Sequence, residues 1–131
     1  MKRALGGLAL AALVAGALNC GRDVGPVAGN LQVRLTSPNS GADSAIVLTI
    51  TGPAALTSAT AGAGLRVFAQ PLGTTTRFAL TGRLTTNTTI LTIGVVDVSR
   101  LGQYAATIQG VAQPNFQLRT GLAGYLLSVI R

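Results

Sequence analysis

Beyond residue 30 the chain alternates. In Leu31–Thr36 the apolar side chains Leu31, Val33 and Leu35 point one way and Gln32, Arg34 and Thr36 the other, the period of a strand with one buried face. Ser37–Asp43, SPNSGAD, is built of turn formers. Ser44–Thr51 alternates again, with Ile46, Leu48 and Ile50 inward, and the two segments are expected to pair as a hairpin. After the Gly52-Pro53 break come a short edge strand at Leu56–Thr60, a turn at Ala61–Gly64 and a strand at Leu65–Gln70. Pro71–Thr75 turns the chain into Thr76–Leu84, with Phe78 and Leu80 inward and Arg77, Thr81 and Arg83 outward. Thr88–Val96, TTILTIGVV, is apolar on both faces, which predicts a strand inside a sheet and covered on both sides. Asp97–Gly102 predicts an irregular corner with one helical turn, and Tyr104–Gln113 a strand. A turn at Pro114-Asn115, the start of a strand at Phe116–Arg119 and a last strand at Gly124–Ile130 complete the chain. Short strands spaced by roughly 8–12 residues, with no helical period among them, predict an all-β fold: an antiparallel β-sandwich of about 7–8 strands.

The first twenty residues follow another rule. Lys2 and Arg3 precede an uncharged apolar run, Ala4–Leu18, interrupted only by glycine. A basic head and an apolar stretch of this length make an export signal, and the run is shorter than the roughly 20 residues a spanning helix needs. The chain therefore divides into a signal peptide at 1–19, a flexible tether at 20–30 and a β-sandwich domain at 31–131. The tether is rich in glycine, and its ten residues from Gly21 to Asn30 reach at most about 33–36 Å when extended.

The signal ends at Cys20, the single cysteine of the chain, preceded by Ala17, Leu18 and Asn19. This end resembles the lipobox of bacterial lipoproteins: Leu, a small residue, Gly or Ala, then Cys. Ala17 and Asn19 depart from that pattern; the cysteine and its position match it. The resemblance covers these twenty residues and implies cleavage before Cys20, a diacylglyceryl thioether on its sulfur and acylation of its new amino group. Two or more chains make a lasting anchor. The implied location is exported and lipid-anchored. Gly21, standing where an aspartate would retain such a protein at the inner membrane, favours the outer membrane or cell surface.

A second, local resemblance lies in DVSRLGQYAATI, Asp97–Ile108. Gly102 and Tyr104 have the spacing of the corner between the fifth and sixth strands of immunoglobulin-like domains, where the tyrosine hydroxyl bonds to nearby backbone. The sandwich is thus expected to be immunoglobulin-like. Ala106 stands where antibody domains carry a cysteine, and there is no tryptophan, so such a domain would lack the usual disulfide. The alternative is that Tyr104 simply begins a strand.

Composition removes most chemistry. The chain has no histidine and its three acids are all aspartate, Asp23, Asp43 and Asp97, so the usual general base and the commonest metal ligand are missing. Turn capping accounts for each aspartate. Serines and threonines have no candidate base beside them, and no glycine-rich nucleotide fingerprint occurs. No catalytic residue, cofactor or metal is implied. Past the signal, eight arginines face three aspartates. Arg34, Arg66, Arg77 and Arg83 are the candidate binding residues, read as an outward basic stripe for an anionic glycan or lipid head group. Charges that stop sheet edges from pairing account for them better, since no aromatic is expected in the stripe to stack on a sugar or base. The functional expectation is a non-enzymatic envelope lipoprotein that acts as an interaction or scaffold module. Its membrane contact is the lipid on Cys20, its partner an envelope protein or polyanionic glycan, and no specific nucleic acid is implied. Loops Ser37–Asp43, Pro71–Thr75 and Asp97–Gly102 are further places for contacts.

Overall fold

A computed structural model describes residues 25–131. The segment expected to be a signal peptide, Cys20 and the first part of the expected tether lie outside the described residues. The rest is an antiparallel β-sandwich of eight strands: β1 (Gly29–Thr36), β2 (Asp43–Thr51), β3 (Ser58–Ala61), β4 (Arg66–Leu72), β5 (Thr75–Leu84), β6 (Thr88–Val95), β7 (Ala105–Ala112) and β8 (Leu126–Ile130). One sheet has the order β3-β6-β1-β8 and the other β4-β5-β2-β7. β1 starts at Gly29, so the end of the segment read as tether is already paired, Gly29 with Val95 and Asn30 with Gly94.

The alternating residues do what their period demands. Leu31, Val33, Leu91 and Ile93 of the first sheet meet Leu48, Ile50, Phe78 and Leu80 of the second, all fully buried. Two sheets each apolar on one face have no better solution than to pack those faces together.

The pairing of strands differs from one expectation. β1 and β2 do not form a hairpin: β1 pairs with β6 and β8, and β2 with β5 and β7. The connection through Ser37–Ala42 crosses from one sheet to the other. Alternation fixes which side chains point inward but is the same for a neighbour in the sheet and for a strand in the facing sheet. The one hairpin between consecutive strands is β4–β5, closed by Gly73-Thr74 with Gly73 at φ 73°, where a two-residue turn calls for glycine. The pairs β4–β5, β3–β6, β2–β7 and β1–β8 nest inside one another, as in a long antiparallel ribbon rolled on itself. In immunoglobulin domains the first two strands share a sheet; here they lie in opposite sheets, within the same two-layer architecture.

β6 is interior in its sheet, as expected, but only one of its faces meets the core. A register shift beside Val33 leaves Ile90 as an extra residue, so Ile90 and Leu91 are both buried. Such a bulge makes a one-sided strand read as two-sided. Thr89 and Thr92 lie on the half-buried outer face. Phe116–Arg119 forms no strand; Leu118 makes an isolated bridge to Ala112, and Phe116 is 91% exposed at φ 68°.

Asp97 caps a short 3-10 helix, Val98–Gln103, by accepting from the Ser99 amide, which is the helical corner that was expected. Tyr104 follows it. Its ring packs against Gly52, where an added Cβ would lie 2.2 Å from the ring, and its hydroxyl is buried without a hydrogen-bond partner among the described residues. The corner bond implied by the immunoglobulin resemblance is therefore not made. The 3-10 helix, closed by Tyr104 N donating to Leu101 O at 3.1 Å, delivers Tyr104 to the core instead. An unpaired buried hydroxyl costs about 1–3 kcal/mol. Tyr104→Phe is accordingly expected to raise stability by about 1 kcal/mol, read as a higher urea midpoint at unchanged slope.

Candidate functional site

The register assigns every candidate arginine a place. On β5, Thr76, Phe78 and Leu80 are buried and Arg77 projects from the opposite face. Gln70 of β4 and Thr49 of β2 lie across from Arg77. Arg66 pairs with Thr81, an outward position, while its neighbour Val67 pairs with the buried Leu80. Arg66 and Arg77 thus share the outer face of the second sheet, four residues apart in register. Strands rise about 3.3 Å per residue, which separates the two rows by about 13 Å.

The other two arginines are elsewhere. A register shift between Asp43 and Ala45, with Gly82 at φ 133°, interrupts β5 before Arg83. The Arg83 guanidinium lies against Gly41, 3.0 Å from where a Cβ would stand, at the corner of the sheet. Arg34 belongs to β1 in the opposite sheet and donates to the backbone carbonyl of Asn87. Of the expected stripe of four, Arg66 and Arg77 stand together; Arg83 is exposed on β5 as Arg77 is, but its guanidinium lies against Gly41 beyond the register shift, and Arg34 is on the far side of the molecule. A β1–β2 hairpin would have put Arg34 in the same sheet as the others, but β1 pairs with β6 and β8 in the facing sheet.

The same register finds a residue that the sequence reading missed. Phe68 lies between Arg66 and Gln70 on the outward parity of β4, opposite Ala79, and is 58% exposed. With Val47, Ala69, Gln70, Arg77 and Ala79 it lines a shallow depression of about 290 Å³. An aromatic therefore does sit in the basic face. The signal was available in parity: once Val67 faces inward, Phe68 cannot.

Among the described residues no acid lies between Arg66 and Arg77 on this face. Asp43 is buried at the start of β2, where its Oδ1 accepts from Arg119 Nε at 2.7 Å and its Oδ2 from the Tyr125 hydroxyl at 2.5 Å. Asn39 Nδ2 donates to the same hydroxyl at 2.9 Å, and Arg119 Nη2 donates to the carbonyl of Ala42 at 3.2 Å. Asp43 is thus the hub of a network and not a turn cap. The hydrogen bond to Asp43 holds the Arg119 guanidinium above its ordinary pKa. Asp97 caps its turn as expected. The Ser99 hydroxyl, the amides of Ser99 and Val27 and the Arg100 charge outweigh desolvation and hold its carboxyl below the usual aspartate value. The register places Asp43 beside Leu84 and Asp97 beyond Val95, at opposite ends of the sandwich.

Among the described residues the two ion pairs are Arg119–Asp43 and Arg100–Asp97, which leaves Arg66 and Arg77 uncompensated. No group of three or more His, Cys, Asp or Glu stands together among them. The three loops expected as contact sites are divided. Pro71–Thr75 and Asp97–Gly102 lie at the end where β1 begins, and Ser37–Asp43 at the other. Comparison with protein-family models, with curated proteins and with solved structures found no match.

Proposed function

We propose that this protein is an exported, lipid-anchored and non-enzymatic interaction module of the cell envelope, and that the outer face of its β4-β5-β2-β7 sheet is the working surface. The leader and Cys20 support the anchor; the lack of a general base supports the absence of catalysis. The observation that carries the choice of surface is the pair Arg66 and Arg77, without an acid partner among the described residues, beside a shallow floor of small side chains such as Val47 and Ala79. Arginine presents a planar fork of donors that matches carboxylate, sulfate and phosphate oxygens. A pair of arginines without an acid beside it among the described residues attracts groups of that kind, whether on a glycan or on a lipid head.

Arg66→Ala/Arg77→Ala should abolish retention on heparin at physiological salt, while Arg34→Ala, on the other sheet, should elute with wild type. Vesicles with and without anionic lipid distinguish the head-group source from the glycan source. The anchor is checked in the producing cells by mass measurement of the mature N-terminus. A Cys20 that carries a diacylglyceryl group on its sulfur and an acyl group on its amino nitrogen is expected, and a free thiol or an uncleaved leader refutes that part of the reading.

A further inference from the structure

Charge alone does not account for Phe68. The chain has three phenylalanines, and the largest fully buried side chain is one of them, Phe78. A second one on an outward parity, 58% exposed, leaves a large apolar ring in water where alanine or threonine fills the neighbouring positions. The ring is not isolated. Val47 and Ala79 continue it as an apolar floor, and Gln70 and Arg77 form the rim of the same depression. Arg66 stands two residues from Phe68 on one side, and the Gln70–Arg77 row two residues away on the other. At about 3.3 Å per residue the backbone position of each arginine row lies about 7 Å from that of Phe68 along the strand.

This order fits one ligand chemistry well: a flat ring with a weakly polar face and anionic groups carried at its edge. A sugar ring lays its C–H face on an aromatic, as amphipathic rings do where one side is apolar and the other wet. Its carboxylate or sulfate substituents then extend in the plane of the ring toward charges on either side. Gln70 offers both a donor and an acceptor for hydroxyls. A smooth polyanion without rings would use the arginines and leave Phe68 without a role. A bilayer would draw on an apolar rim and not on a recessed floor.

We infer that the depression around Phe68 binds the acidic or sulfated sugar of an anionic polysaccharide, with the ring stacked on Phe68, its anionic groups on Arg66 and Arg77, and a hydroxyl on Gln70. This rests on the surface proposed above and names its ligand. The test compares wild type, Phe68→Ala, Phe68→Tyr and Arg66→Ala/Arg77→Ala against heparin, poly-glutamate, a thymidine oligonucleotide and anionic vesicles across a salt series. Thermal unfolding confirms that each variant is folded; Phe68 is outside the core, so little change is expected.

Phe68→Ala should weaken heparin binding by about tenfold, the effect of losing one stacked ring. It should leave the salt slope and poly-glutamate binding unchanged, and Phe68→Tyr should restore affinity. The arginine variant should lose both polyanions and flatten the slope. Heparin binding that depends on the arginines but not on Phe68 would overturn the sugar assignment and leave the basic surface standing. Binding indifferent to both variants removes the surface itself. Tighter, Phe68-dependent binding of the oligonucleotide or of the vesicles would replace the polysaccharide by that ligand.

Discussion

Phe78→Ala is expected to lower the stability of the domain by about 4 kcal/mol, the middle of the range for truncating a buried aromatic. The reason is the poverty of the core in large side chains. Phe78 is its largest fully buried residue, and Tyr104 is the other buried aromatic; the rest of the interior is aliphatic. Phe78 sits near the middle of β5, with Leu48 on one side and Ala69 on the other. It also forms a wall of the cleft of about 220 Å³ that opens between the edge strands β3 and β4. Removing its ring therefore joins an internal void to an opening that already reaches solvent. Alanines 59 and 69, which line the same cleft, are too small to close the gap. Domains of this size have stabilities of about 5–15 kcal/mol, so the variant should remain folded but marginal, with a melting temperature lower by about 15 °C or more. Urea unfolding gives the value directly. A loss below about 1 kcal/mol, the range of surface changes, would mean that the ring is not in the core.

Individual strands were readable because each carries its own period. β1, β2 and β5 alternate so regularly that their inward residues follow from the sequence, and the structure buries those residues. Partners were not readable, because alternation is satisfied equally by a neighbour in the sheet and by a strand in the facing sheet. The β1–β2 hairpin failed for that reason, and with it the position of Arg34. Ile90 misled because a bulge puts two successive residues on one face, which period-two reading takes for two buried faces. Phe68 was missed for a simpler cause. A phenylalanine between Val67 and Ala69 invites burial, yet its parity is set by Leu80 on the neighbouring strand. The network around Asp43 was out of reach. Asp43 and Arg119 are 76 positions apart, and Asp43 and Tyr125 are 82 apart. No local pattern in a sequence records such a meeting.

That network supports the second large effect. Asp43→Ala is expected to cost about 2–3 kcal/mol, the range for hydrogen bonds to a charged group that leave a partner unpaired. Both carboxylate oxygens are used, one by Arg119 and one by Tyr125, and both partners come from the connection between β7 and β8. That connection spans residues 113–125 and contains no strand of its own. A loop of this length pays considerable entropy to hold one shape, so its shape has to come from pins such as these. β8 depends on it most. It has five residues, lies at the sheet edge and pairs with β1 alone. The loss should therefore be uneven. Hydrogen exchange in Leu126–Ile130 and in the adjoining half of β1 should quicken well before that of β2 and β5, whose pairings lie inside the other sheet. Tyr125→Phe removes one of the two pins and keeps the ring, so it should reproduce the same regional pattern at a smaller cost. Uniformly faster exchange in Asp43→Ala would mean that the carboxylate supports the whole fold and not the β8 edge. Unchanged stability would mean that water replaces it without penalty.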